Sequence, residues 1–97
     1  MPVLESAIEN YLKNAIEQLG GTCLKFGVPS VRGYPDRLCK LPNGSAFFVE
    51  VKRPKGGRLA ELQKVRRVEL ERAGWRVYWV KNKEEVDDVV RTECAGC

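Results

Sequence analysis

The sequence predicts an α/β (α+β) protein, a single domain built of both helices and strands. Three observations lead there. Apolar residues recur at helical spacing ahead of Gly20-Gly21, they alternate at strand spacing in Ala46-Phe47-Phe48-Val49-Glu50-Val51-Lys52, and helical spacing returns after Leu59 before a last apolar strand. Ninety-seven residues with 43% apolar content suit one compact domain with a real but modest core. No repeat or linker breaks the chain, so 1–91 is expected to form the domain and 92–97 a flexible C-terminal tail.

The elements follow in order. Helix one is expected from about Val3 to Leu19, with Leu4, Ile8, Leu12, Ala15, Ile16 and Leu19 as its apolar stripe and Gly20-Gly21 as its stop. Strand one covers roughly Thr22 to Phe26. An irregular loop from Gly27 to Gly33 then leads into a hairpin whose arms are Asp36 to Leu41 and Ala46 to Lys52. Helix two is expected from Leu59 to Ala73, with Leu59, Leu62, Val65, Val68 and Leu70 facing inward and Gly74 ending it. Trp75 to Val80 reads as the fourth strand and Glu84 to Arg91 as a short closing helix.

Chemistry concentrates in the hairpin. Successive strand residues point to opposite faces, so Phe48, Glu50 and Lys52 share one face while Phe47, Val49 and Val51 share the other. If Pro42-Asn43-Gly44 is a three-residue turn with Gly44 left-handed, Leu41 lies opposite Ser45, and counting back sets Asp36 opposite Glu50. A two-residue Asn-Gly turn would instead bring Asp36 opposite Val51, on the wrong face, unless a bulge restored it. Two directly opposed carboxylates repel unless a cation lies between them. Hard oxygen donors favour Mg²⁺ or Mn²⁺, and Mg²⁺ commonly takes one or two protein carboxylates together with water and phosphate. Lys52 would orient or deprotonate a water and stabilise charge developing on a phosphodiester. Against this stands an ordinary solvated strand for Glu50-Val51-Lys52 and an ordinary turn for Pro35-Asp36. Phe48 beside Glu50 speaks for the site, because an acid next to a large aromatic needs a partner.

Gly33-Tyr34-Pro35-Asp36, a hairpin, an apolar strand ending Glu50-Val51-Lys52, a basic loop and a helix bearing Gln63 together resemble the VRR-NUC (virus-type replication-repair nuclease) branch of the PD-(D/E)XK superfamily. The resemblance spans roughly Glu5 to Val80. It implies a restriction-endonuclease-like α-β-β-β-α-β core, Mg²⁺ or Mn²⁺ dependence and cleavage of branched DNA such as Holliday junctions or flaps. It further implies Asp36 and Glu50 as metal ligands, Lys52 as the catalytic lysine and Gln63 as a supporting active-site residue. Tyr34 departs from the family pattern, which more often has a small aliphatic residue there. The carbonyl of Val51 is expected as a further metal ligand. The family also expects an acid on the first helix: Glu5 falls inside the apolar stripe and is the expected third ligand, with Glu9, at the stripe's edge, as the alternative.

Charge points to a polyanion. The net charge is +4, and from Lys52 to Arg67 seven basic residues face Glu61 alone. Arg32, Arg53, Lys55, Arg58 and Lys64 are the expected DNA contacts, guiding a phosphate backbone to the metal; Arg66 or Arg67 taken singly read as solvated. The absence of histidine excludes histidine-metal nucleases, histidine-dependent triads and most catalytic zinc sites. No apolar run is long enough to span a bilayer and no signal-peptide pattern is present, so a soluble, intracellular, cytoplasmic protein with no small-molecule cofactor is expected. Cys23 and Cys39 read as small buried side chains, and Cys94-Ala95-Gly96-Cys97 as a neutral tail. The expected activity is a structure-selective endonuclease working as a homodimer, with Tyr78 or Trp79 as candidates for the interface. The competing reading is a non-catalytic DNA-binding subunit on the same fold.

Overall fold

The computed structural model describes residues 4–54, 56 and 59–95. Its elements run α1 (Glu5–Gln18), β1 (Thr22–Lys25), β2 (Arg37–Lys40), β3 (Ala46–Val51), α2 (Glu61–Arg72), β4 (Arg76–Val80) and α3 (Lys83–Glu93). Val3, the expected first residue of helix one, lies outside the described residues. The strands form one sheet in the order β1-β2-β3-β4, antiparallel for the first two pairings and parallel for β3 with β4. The parallel pair needs a crossover, and α2 supplies it.

Turn chemistry sets the hairpin. The Leu41 amide donates to the Ser45 carbonyl at 2.8 Å and the Gly44 amide to the Leu41 carbonyl at 3.0 Å, with Gly44 at φ 91°. This is the three-residue turn with a left-handed glycine. It fixes Leu38 opposite Phe48 and Arg37 opposite Val49.

Strand alternation then sorts the layers. Phe47, Val49 and Val51 join Ile8, Leu12 and Ile16 of α1 and Val86 and Val89 of α3 in the larger core. Phe48 faces the other way, into a smaller cluster with Leu70, Val77, Trp75 and Trp79 under α2. The directly paired Cys23 and Cys39 are buried in the larger core as free thiols with sulfurs 3.6 Å apart, as expected for small apolar fillers.

Helix two differs from expectation. Leu70 is buried, but Leu62, Val65 and Val68 are 39%, 56% and 46% exposed. The face turned to the sheet instead carries Gln63, Arg66, Arg67 and Leu70. The Arg67 guanidinium lies 4.3 Å from the Trp79 ring centre and that of Arg66 5.0 Å from the Tyr34 ring centre. Aromatic faces attract guanidinium groups, so Tyr34 and Trp79 turn the basic side of the helix inward. The same contact covers Trp79. Tyr78 packs against the larger core and its hydroxyl bonds Glu93, so neither aromatic is the bare interface expected from the sequence.

The chain end also departs from a tail beginning at residue 92. Glu93 belongs to α3, is 6% exposed, and pairs with Arg76 through contacts of 2.6 and 2.7 Å. Ser45 and Tyr78 donate to the same carboxylate. Residues 96–97 lie outside the described residues.

Candidate active site

Asp36 sits just before β2, and the hairpin register, continued by one residue, brings it opposite Glu50 on the α2 side of the sheet. The Asp36 amide donates to Glu50 Oε1 at 3.1 Å. On the other carboxylate oxygen, Oε2, converge Gln63 Nε2 at 2.9 Å and Lys52 Nζ at 3.2 Å. Asp36, Glu50, Lys52 and Gln63 are therefore one cluster, although they come from three segments of chain.

Gln63 is oriented by its helix. The N-cap is Ala60, whose side chain cannot cap, and Gln63 Oε1 accepts the orphan Ala60 amide at 2.9 Å. With its oxygen so committed, the amide NH₂ is the group that faces Glu50.

The loop carrying Asp36 is held just as closely. Gly33 has φ 94°, and a Cβ there would lie 2.8 Å from Leu62 Cγ and 2.9 Å from the Leu62 carbonyl. Only glycine lets this backbone approach α2. Tyr34, the departure from the family pattern, donates its hydroxyl to Glu69 at 2.8 Å and packs edge-on against Phe26. It ties the loop to α2.

The electrostatics match a cation site. Burial, and next the charge of Asp36, push Glu50 up to about 7, against the pull of Lys52 and the Asp36 amide. Asp36 is raised too, by burial first and then by Glu9, while Lys52 and a hydrogen bond from the Val51 amide oppose the shift. Buried carboxylates raised in this way by desolvation and by a neighbouring negative charge are stabilised in their ionised form by a cation. Pro35 contributes by what it lacks. The register that pairs Arg37 with Val49 sets Val51 opposite Pro35 at the next hydrogen-bonded step, and proline has no N–H to offer the Val51 carbonyl. Two carboxylates and one carbonyl fit the hard-oxygen donor set of Mg²⁺ or Mn²⁺. Among the described residues no three acidic or thiol side chains gather into a closed cage.

The helix-one acid is where expectation and structure part. Glu5 is exposed on the first turn of α1, one turn beyond Ile8, where the helix overhangs the core and Leu4 is 65% exposed. Glu9, the alternative, is the helix-one acid whose charge is felt at Asp36. It binds Arg37 Nε at 2.9 Å and Lys25 at 3.6 Å. Wheel angle alone placed Glu5 correctly around the helix axis but said nothing of its height along it. Arg37, 8% exposed and also bonded to the Cys23 carbonyl, went unnoticed because its burial depends on α1 covering it.

A cleft of about 590 Å³ opens over the cluster, lined among others by Arg32, Tyr34, Asp36, Lys52 and Gln63. Arg32 thus lines the same cleft as Asp36, and Arg53 is exposed just after β3. Lys64 is not brought to the site, because the rotation of α2 turns it outward to pair with Glu61 at 3.0 Å. Arg67 takes the inward position and borders a crevice with Glu50 and Trp79. The expected contacts Lys55 and Arg58 lie outside the described residues.

No protein-family model matches the chain. A solved structure described as a VRR_NUC domain superposes with a TM-score of 0.84 at 30% identity, covering 90% of this chain and 94% of that one. The chain belongs to the VRR-NUC family. A curated relative, "Putative nuclease p44" of Acyrthosiphon pisum secondary endosymbiont phage 1, is 46% identical over 52 residues, 54% of this chain. The match spans 56% of that relative's length, little more than half of it. The VRR-NUC fold accounts for the helix–strand order and for the mixed sheet, and no helix among the described residues is long and apolar enough to cross a membrane.

Proposed function

We propose that this VRR-NUC domain is a Mg²⁺- or Mn²⁺-dependent endodeoxyribonuclease that hydrolyses phosphodiester bonds in branched DNA, such as Holliday junctions or flaps, and works as a homodimer. The observation that carries the reading is the forced meeting of Asp36 and Glu50, both with raised pKa, within reach of Lys52. Asp36, Glu50 and the Val51 carbonyl would hold the ion, with Glu9 the nearest helix-one acid; when bound, the ion supplies positive charge to the phosphate and acidifies a water.

The chain's own groups do the rest. Gln63 holds the Glu50 carboxylate in one orientation, so its lone pairs stay aimed at the cleft. Lys52, 22% exposed and therefore accessible from the cleft, stabilises charge developing on the phosphate and positions the attacking water. Arg32 on the cleft wall and Arg53 beyond β3 attract the backbone without reading bases. Contacts of this kind are to the backbone, so shape rather than sequence would select the substrate.

Incubating purified protein with end-labelled linear duplex, flap and four-way-junction DNA in Mg²⁺, Mn²⁺ or EDTA tests this. Cleavage of branched DNA with either metal and none in EDTA is expected. Tight DNA binding without cleavage in any metal would favour the non-catalytic subunit, and equal cleavage in EDTA would remove the metal from the reading.

A further inference from the structure

Val65 and Val68, 56% and 46% exposed, form a short apolar row on the outer face of α2, with Leu62 at the edge of that face, turned against Gly33 and the active-site cleft. The opposite face of the helix is fully engaged through Gln63, Arg66, Arg67 and Leu70, so no rotation of α2 within one chain buries the row. A shallow groove of about 540 Å³ runs along it, bordered by Glu61, Lys64, Glu69 and Arg72.

The charges around the valines are arranged for a copy of the same helix. Glu61, Val65, Val68 and Arg72 are spaced four, three and four residues apart, the spacing of a helix–helix seam. Place a second α2 antiparallel across this seam, with the two-fold axis level with the midpoint of Arg66 and Arg67. Val65 then meets Val68 of the second copy, and the same operation carries Glu61 to the level of Arg72. Symmetry repeats both contacts. A parallel pairing would set Glu61 against Glu61 and Arg72 against Arg72, like charges at both ends. The patch is self-complementary in the antiparallel sense alone.

We propose that the outer face of α2 is a two-fold docking surface for a second copy of this chain, with the two α2 helices antiparallel and Val65 and Val68 at the centre. This rests on the homodimeric reading above and names its surface. Because Gln63 leaves the other side of the same helix to hold Glu50, such a dimer would fix the two active sites relative to each other through a rigid pair of helices. A pair of coordinated cuts requires that fixed relation.

Light scattering and sedimentation of the whole chain, without DNA, test the surface independently of cleavage. Wild type is expected to be dimeric. Val65→Asp and Val68→Asp, at positions already open to solvent, should retain the circular dichroism of the fold and weaken dimerisation on the order of 100-fold or more. Glu61→Arg alone should weaken it through repulsion from Arg72 of the second copy, and Glu61→Arg with Arg72→Glu should restore it. A monomeric wild type overturns the proposal, as does a dimer indifferent to Val65→Asp; a charge-swapped pair that fails to recover overturns the antiparallel register. A dimer that forms as described yet cleaves no DNA would stand against the nuclease reading alone.

Discussion

The backbone amide of Asp36 lies 3.1 Å from Oε1 of Glu50, so the residue that adds a second negative charge to the site also donates a hydrogen bond to the first. That bond aligns the two acids, while burial and their mutual repulsion keep the ionised pair costly.

Replacing Asp36 with Asn separates chemistry from binding. The amide keeps the shape and can still accept from the Val51 N–H, but it withdraws the charge a cation needs. Cleavage should fall at least on the order of 100-fold, while branched-DNA affinity holds or rises as repulsion toward phosphate weakens. Melting in EDTA should stay constant or rise, since Glu50 loses a like-charged neighbour. Unchanged cleavage rates would refute the assignment of Asp36.

Gln63→Glu tests the aimed amide. A carboxylate at this position would face Oε2 of Glu50, where an NH₂ now donates at 2.9 Å. It should push the Glu50 carboxyl still higher, so the rising limb of the rate against pH should move to higher pH. Gln63→Ala should lower the rate with a smaller displacement in the same direction, because it removes a donor to the carboxylate but adds no charge. A pH profile of single-turnover cleavage distinguishes the two.

These residues show what could be read in advance and what could not. Turn composition settles strand register, because Gly44 can take the left-handed place and the loop length then dictates every pair back to Asp36. Strand period settles the face of Glu50 and Lys52. The orientation of α2 was not legible, since the spacing of Leu62, Val65 and Val68 announces an apolar face without saying whether its partner is the same chain. The pull of Tyr34 and Trp79 on Arg66 and Arg67 depends on residues distant in sequence. So does the burial of Glu93, which stands four residues from the end of the chain and looks like tail until Arg76 and Tyr78 are brought beneath it.

Glu93 should govern the acid side of stability. Burial by itself would raise its pKa, but hydrogen bonds from Arg76, Ser45 and Tyr78 outweigh it and hold the group down at about 2, below its ordinary value of 4.5. A carboxyl lowered by folding contributes stability above its unfolded pKa and loses it as pH falls. The protein should therefore lose stability from this group between about pH 4.5 and 2. Glu93→Gln should cost about 2 kcal/mol at neutral pH and flatten the acid limb of denaturant midpoint against pH. An acid limb identical to wild type would contradict this role.

The two helix-one acids should differ in stability. Glu9 neutralises Arg37, whose side chain is 9% exposed, and removing one partner of a buried pair leaves the other charge uncompensated. Glu9→Gln should cost on the order of 3 kcal/mol, whereas exposed Glu5→Gln should change stability by no more than about 0.5 kcal/mol. Urea titrations of both variants decide it, and equal losses would place Glu5 in a contact of its own.

Gly33→Ala and Gly44→Ala separate backbone strain from close approach. Both glycines have left-handed φ, 94° and 91°, so an alanine at either should cost about 1–2 kcal/mol from conformation alone. Around Gly44 nothing lies within 4 Å of an added Cβ, whereas at Gly33 the Cβ would fall 2.9 Å from the Leu62 carbonyl and 3.0 Å from Arg66 Cγ. Gly33→Ala should therefore exceed Gly44→Ala in cost, because the loop must lift from α2. Asp36 follows three residues later in that loop, so its hydrogen bond to Glu50 moves with it, and a displacement of about 1 Å at a catalytic group can cost on the order of 100-fold in rate. Gly44→Ala, at the far end of the hairpin, should cleave like wild type at temperatures where it is folded. Equal stability and equal cleavage in the two variants would mean that the approach of Gly33 to Leu62 does not position Asp36.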